Sequence, residues 1–231
     1  MPLFLKDKTT VMFIHIPKCG GTAIENAFRN NGWEWSYLNE PNKSGFDEMP
    51  CNPQHYHDEL IERFIMPLEA IDHTFAIVRN PYTRMISEML WQSNWSHHVS
   101  KNGFDEEFFR SFDNFGINRL QAYKVNEMQY QMDKEAFLRN DHRFVFDNHM
   151  RPQNHFIGKD WNIYWYEELQ DVGWPALEDE FQIKSPGYQN ITLDKNIERP
   201  TFYHNHTQKF KDYFTEFYYE DCKLFGYELP F

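Results

Sequence analysis

Phe13-Ile14-His15-Ile16-Pro17-Lys18-Cys19-Gly20-Gly21-Thr22-Ala23 is the stretch whose reading decides the fold. Val11 to Ile16 is a short apolar run of the kind that fills a buried parallel strand. Pro17 to Gly21 breaks the run, and Thr22 to Asn30 reads as a helix stopped by Asn31-Gly32. A strand that delivers a glycine turn to a helix N-terminus leaves unpaired backbone N–H groups at the positive end of the helix dipole, an arrangement suited to an anion. Gly20 and Gly21 let the backbone approach closely, Lys18 adds a mobile cation and Thr22 a hydroxyl. Taken alone, the Gly-Gly turn reads equally well as a plain strand-to-helix connection. The Walker pattern Gly-x-x-x-x-Gly-Lys-Ser/Thr is missing, because here the lysine precedes the glycines, and this counts against an ordinary ATPase or GTPase.

A second segment has the same layout: Phe75-Ala76-Ile77-Val78-Arg79-Asn80-Pro81-Tyr82-Thr83-Arg84-Met85-Ile86-Ser87. Thr74 to Val78 is a buried strand, Asn80 caps a helix, Pro81 takes its first turn, and the helix runs to about Trp95. Ser87 lies seven residues beyond Asn80, two turns along one helix face, so Arg79 and Ser87 can converge on one phosphate. The plainer alternative pairs Arg79 with a carboxylate and leaves Ser87 an ordinary helix residue. Outward from these two junctions, Trp33, Trp35 and Tyr37 alternate as a strand would, and residues 39–54 look like loop. His57 to Ile65 forms a short helix, and helical patterns over 104–140 are broken by Gly116. Trp161 to Tyr166 is a third strand-like run, followed by a helix from about Glu167. Phe210, Phe214, Phe217, Tyr218, Cys222 and Phe225 share one face of a closing helix that ends at Gly226. Strand, loop and helix in repetition predict an α/β fold, a central parallel sheet flanked by helices, as a single domain over 1–231.

Composition narrows the function. The 231 residues are 41% hydrophobic, 18% aromatic and 25% charged, which excludes intrinsic disorder and collagen-like repeats. With 23 Lys+Arg against 35 Asp+Glu the formal net charge is −12, so an anion is expected in a small pocket and not on a basic face for nucleic acid. No stretch reaches the ~20 apolar residues of a membrane span, and the N-terminus lacks the apolar core of a signal peptide. Cys19, Cys51 and Cys222 have no framework spacing and read as free thiols of a reducing compartment, hence a cytoplasmic protein with no membrane partner.

Together the two junctions resemble the sulfotransferases that use 3′-phosphoadenosine 5′-phosphosulfate (PAPS), most of all the branch of carbohydrate 2-O-sulfotransferases and their soluble bacterial-type relatives. In that family an Ile-Pro-Lys-x-Gly-Gly-Thr loop binds the 5′-phosphosulfate, and an Arg-x-Pro-x-x-Arg-x-x-Ser segment binds the 3′-phosphate. Ile16 to Thr22 and Arg79 to Ser87 meet the two patterns. The resemblance implies a P-loop-like site formed by Lys18, Cys19, Gly20, Gly21, Thr22 and Ala23, with Arg79 and Ser87 on the 3′-phosphate. Cys19 departs from the common threonine and loses its hydroxyl, leaving the backbone N–H. Arg151-Pro152-Gln153, Tyr166-Glu167-Glu168-Leu169 and Asp221 to Tyr227 are similar to later family segments, while 96–140 offers no match. Thr207 and Lys209, with Lys211, precede or open the last helix and are expected to close over the nucleotide; ordinary solvated helix-start residues are the equal alternative.

Sulfuryl transfer needs a base for the acceptor hydroxyl and positive charge at the leaving phosphate oxygen. The resemblance implies a catalytic histidine just before a helix, which His55 matches best and His57 second; a helix-capping histidine is the bland reading. Lys18 is the expected partner of the leaving group. His55-x-His57 and His204-x-His206 also form two pairs able to hold a transition metal, but such pairs arise easily among eleven histidines, and no metal is expected. His97, His98, His142, His149 and His155 are expected at the surface or in structural roles. The expected reaction is direct in-line transfer from PAPS, releasing 3′-phosphoadenosine 5′-phosphate (PAP), to a hydroxyl of a sugar or small metabolite. The rivals are a nucleotide kinase-like phosphoryl transferase and a non-catalytic nucleotide- or glycan-binding module. The acceptor pocket falls to loops near 39–54 and 96–140, whose sequence carries no readable motif.

Overall fold

A computed structural model describes residues 1–37, 49–93, 95–139, 142–158, 160–186 and 206–231. Strands β1 (Leu3–Lys6), β2 (Thr9–Ile14), β3 (Glu34–Ser36), β4 (His73–Val78) and β5 (Asn162–Trp165) form one sheet in the order β3-β1-β2-β4-β5. The predicted parallel core is present as β2-β4-β5. The other two strands correct the expectation of a parallel sheet, since β1 runs antiparallel to both β2 and β3. Asp7 and Lys8, at φ 49° and 72°, make the two-residue turn whose twist suits such a hairpin. A four-residue strand followed by a turn of two charged residues carries too little pattern to be read from sequence.

Eight helices surround the sheet among the described residues: α1 (Gly21–Asn30), α2 (Asp58–Phe64), α3 (Pro81–Gln92), α4 (Trp95–Asn102), α5 (Glu106–Met132), α6 (Lys134–Arg139), α7 (Trp174–Phe181) and α8 (Gln208–Phe225). The helix expected to reach Trp95 stops at Gln92, because Ser93 is extended. The predicted break at Gly116 is absent, and α5 runs through it for 27 residues. A Cβ at Gly116 would lie 2.5 Å from the Phe210 ring and 3.1 Å from Met85 Sδ. The glycine therefore admits α8 and α3 to close contact and does not end the helix. The helix expected from Glu167 begins instead as a 3₁₀ turn and a π turn before α7.

Two aromatic cores hold these layers. Phe4, Phe28, Phe13, Phe75 and Phe181 stack around the sheet, with Phe4 and Phe28 centroids 4.2 Å apart. Tyr82, Phe112, Phe210 and Phe214 join α3, α5 and α8. Burying one such ring stabilises the fold by about 1.5–3 kcal/mol.

Candidate active site

Because β2, β4 and β5 are parallel neighbours, their C-terminal ends share one edge of the sheet, where ligands of open α/β sheets bind. Ile14 pairs with Ala76 and Val78 with Trp165, so the chain leaves three adjacent strands at Ile16-Pro17-Lys18, Arg79 and Tyr166. Arg79 ties them together. Its Nη1 donates to the Lys18 carbonyl (2.9 Å), its Nε to Thr83 Oγ1 (3.1 Å), and its guanidinium lies 4.3 Å over the Tyr166 ring. Gln153 clamps the Arg79 backbone, accepting its N–H and donating to its carbonyl, both at 2.8 Å. Arg79 Nη2 is buried and has no hydrogen-bond partner among the described residues. Asn80 caps α3 through the N–H groups of Tyr82 and Thr83, with Pro81 in the first turn as read from sequence. Ser87, also buried, sits one helical turn beyond Thr83 on the same face.

The β2–α1 loop is bent tightly, with φ +69° at Lys18 and +87° at Gly20. Buried Arg84 pins it from below, donating from Nε to the Pro17 carbonyl (3.0 Å) and from its two terminal nitrogens to the carbonyls of Arg151 and His149. The Cys19 thiol points inward to Gln153 Oε1 (3.4 Å), and burial pushes its pKa up to about 12. The Cys19 N–H, which the sequence leaves for an anion, is instead donated to the Ile16 carbonyl, and that of Ala23 to Gly20. The N–H groups of Lys18, Gly20, Gly21 and Thr22 find no acceptor among the described residues, as expected where a helix starts. Lys18 Nζ lies 4.7 Å over the Trp91 ring. Burial lowers its pKa, and the nearby Glu88 carboxylate opposes that shift.

Behind the loop is a row of three imidazoles, each held at Nδ1 by a carboxylate. His15 Nδ1 meets Glu25 (2.5 Å), whose Oε1 also accepts from Gln54 Nε2 (2.6 Å). His55 Nδ1 meets Asp147 Oδ2 (2.8 Å), and His149 Nδ1 meets Glu88 Oε2 (2.7 Å). The His55 ring stands edge-on to both neighbours, with centroids 5.3 Å from His15 and 4.8 Å from His149. His149 in turn stacks on Trp91, the ring beneath Lys18, at 5.2 Å. His15 touches the loop from the other side: a Cβ on Gly21 would fall 2.5 Å from its ring. His55 thus reaches the loop through His15 on one side and through His149 and Trp91 on the other. Burial lowers the His55 pKa to about 4, against the opposing pull of Asp147, so the ring is neutral at pH 7. Burial raises the Asp147 pKa, but the hydrogen bonds from His55 and from the Asn52 N–H outweigh it and leave a carboxylate.

An α/β sheet with a glycine loop and an arginine at adjacent strand ends fits many anion-binding enzymes. A profile of the sulfotransferase family, however, matches residues 1–228. The chain belongs to that family. No curated protein and no solved structure matches it.

This sulfotransferase places the residues singled out in its sequence unevenly. Lys18, Gly20, Gly21, Thr22 and Arg79 gather at the shared sheet edge, with Ser87 buried further along α3 and His55 behind the loop. His57 does not join the histidine row: it is buried against Tyr130 and Phe144, both ring nitrogens lack a partner among the described residues, and burial holds its pKa well below the usual histidine value. Thr207 caps α8, its hydroxyl accepting the Phe210 N–H and its own N–H donated to Asp113, while Lys209 is exposed on the first turn. His206 is a core residue bonded to Asp113 and Tyr82, and His204 lies outside the described residues. His55 and His57 face different surroundings, and the His204-x-His206 pair lies partly outside the described residues. The set that does come together is His55, Asp147 and His149, with ligand atoms within 4.8 Å of one another. His149, expected at the surface or in a structural role, is a buried neighbour of His55. The sequence reading missed His15, Glu25, Glu88 and Asp147. Asp147 and His149 lie just before the Arg151-Pro152-Gln153 segment and His15 just before Pro17-Lys18, but the partners that His55 and His149 find lie 92 and 61 residues away in the chain. No helix among the described residues is long and apolar enough to cross a membrane.

Proposed function

We propose that this sulfotransferase takes its sulfuryl group from PAPS and passes it directly, in line, to a hydroxyl of a sugar or small metabolite. The observation that carries the reading is the buried, unpartnered Arg79 Nη2 beside a loop with four unclaimed N–H groups. Leaving a buried guanidinium donor unpaired costs about 1–3 kcal/mol or more, which an anion at that point would recover. Two anion subsites on adjacent strand ends fit a nucleotide with a phosphosulfate at one end and a 3′-phosphate at the other. Lys18 and the amides of Gly20, Gly21 and Thr22 take the phosphosulfate in a P-loop-like loop, and Cys19 and Ala23 shape that loop through their internal bonds. Arg79 and Ser87 take the 3′-phosphate, and Thr207 and Lys209 close over the nucleotide from the start of α8. The motifs favour the branch of carbohydrate 2-O-sulfotransferases and their soluble bacterial-type relatives, and the free thiols favour a cytoplasmic enzyme.

In the reaction the acceptor oxygen forms a bond to sulfur as the bond from sulfur to the 5′-phosphate oxygen breaks. His55 takes the hydroxyl proton, and Lys18 stabilises the charge left on the departing PAP. The scheme uses no metal. A panel of hydroxyl compounds incubated with sulfur-35 PAPS tests it: label should move to an acceptor with one PAP released per transfer. His55→Ala should lower turnover by about 10²- to 10⁴-fold, and His57→Ala should not. PAP binding without consumption of PAPS by any acceptor would make the protein a binding module, and phosphate transfer from ATP would make it a phosphoryl transferase.

A further inference from the structure

We propose that Asp147 is the positioning residue of the proton acceptor, and that the backbone turn carrying it is built to hold His55 in one tautomer. The proposal rests on the reading of His55 as the base. Phe146, Asp147 and Asn148 are three consecutive non-glycine residues with left-handed φ, at 53°, 53° and 64°. L-residues other than Asn and Asp avoid this conformation, and a run of three is sustained only where the surroundings enforce it; such strain gathers at functional sites. Here the surroundings are the turn Pro53–His55 itself. Asp147 Oδ1 accepts the Asn52 N–H (2.6 Å) while its Oδ2 holds His55 Nδ1 (2.8 Å). Asn148 Nδ2 donates to the His55 carbonyl (3.2 Å) and to Cys51 Sγ (3.3 Å), and the Phe144 N–H donates to the Pro50 carbonyl (2.8 Å). The Arg119 guanidinium, 3.8 Å above the Phe146 ring, covers the outer end of the turn. Two successive side chains of the strained turn therefore grip the residue proposed as base, one at the ring and one at the backbone.

The chemical consequence is specific. An ionised carboxylate only accepts hydrogen bonds, so His55 must carry its proton on Nδ1 and keep the Nε2 lone pair. Asp147 engages the ring at Nδ1, which leaves Nε2 as the atom that takes the acceptor proton. When that proton arrives, Asp147 stabilises the imidazolium formed, as a carboxylate does in a hydrolase triad. Asparagine at this position can donate to Nδ1, which places the ring proton on Nε2 and removes the lone pair the reaction needs.

Nitrogen-15 NMR of the wild-type imidazoles, with His55 assigned by His55→Gln, tests the claim without any substrate: His55 should be the Nδ1–H tautomer at pH 7, and the Nε2–H tautomer would overturn it. In the transfer assay Asp147→Asn should lower kcat at least 10²-fold with the PAPS KM within about threefold, and should cost nothing further in a His55→Ala background. Equal losses in both backgrounds, or a near-normal kcat for Asp147→Asn, would refute the positioning role. Loss of activity on treatment with a chelator would replace the hydrogen-bonded pair by a metal held by His55, Asp147 and His149, and would also overturn it. A fully active His55→Ala would remove His55 as the base, and the tautomer measurement would still decide whether Asp147 holds the ring.

Discussion

Gly21→Ala isolates the contact between the phosphate-binding candidate loop and the histidine row. Gly21 opens α1 without left-handed backbone, so helix propensity alone predicts that alanine stabilises the protein by about 1 kcal/mol. The structure predicts the opposite sign. The new Cβ would lie 2.5 Å from His15 Cε1 and Nε2 and 2.7 Å from Cδ2, where ordinary contact begins near 3.4 Å, so the ring would have to retreat by about 1 Å. It has little room to do so, because Glu25 and Gln54 hold its Nδ1 side and His55 and Phe13 flank its faces. Overpacking of this kind costs typically 1–3 kcal/mol. The net effect should be a loss of up to about 2 kcal/mol, or up to about 8 °C in Tm for a chain of this size. Urea unfolding of four proteins decides the matter: wild type, Gly21→Ala, His15→Ala and the double variant. In the His15→Ala background the clash is gone, and Gly21→Ala should become stabilising. Stabilisation of equal size in both backgrounds would refute the placement of His15 against the loop.

Acid should destabilise the protein through its buried histidines. The folded His55 pKa of about 4 lies below the ordinary 6.5, so the unfolded chain binds a proton that the native one refuses, and stability falls as pH drops from about 6.5 towards 4. The single group contributes about 3 kcal/mol over that window, His57 adds to it with the same sign, and urea midpoints that stay flat between pH 7 and 4.5 would contradict this. Cys19, Cys51 and Cys222 are free and buried, with burial pushing each thiol up, so iodoacetamide at pH 8 should label all three in urea and none in the native state. Lys18→Ala should lose about 10²- to 10³-fold in kcat while the unfolding midpoint barely moves, because the ammonium stands over Trp91 at the loop and not in the core.

How much of this could be read in sequence follows from the range of the interactions. The two junctions were legible because each compresses a strand, a turn and a helix start into a dozen residues: Asn80 and Pro81 cap α3 as read, and α1 begins within one residue of expectation. The parallel strands followed from their unbroken apolar runs. Strand β1 escaped because four residues with mixed burial carry no period, and Gly116 misled because its reason lies in Phe210, nearly a hundred residues away. The histidine row was out of reach for the same cause. The partners of His55 and His149 lie 92 and 61 residues away in sequence, and nothing local at Asp147 or Glu88 announces an imidazole. His57, the neighbour two positions from His55, turned out to face Tyr130 and Phe144, since a 3₁₀ turn and the start of α2 swing adjacent side chains to different surroundings.

The central claim is that the ends of β2 and β4 form one site for a nucleotide with phosphate at both its 5′ and 3′ positions. Thermal unfolding with PAP and with ADP, at matched concentrations, tests it most directly. PAP at about a hundred times its Kd should stabilise the protein by about 2.7 kcal/mol, raising Tm by roughly 5–10 °C. ADP lacks the 3′-phosphate that Arg79 and Ser87 would hold and should raise it far less, and Arg79→Met should bring the PAP shift down to the ADP level. Equal shifts with PAP and ADP in the wild-type protein would contradict the account.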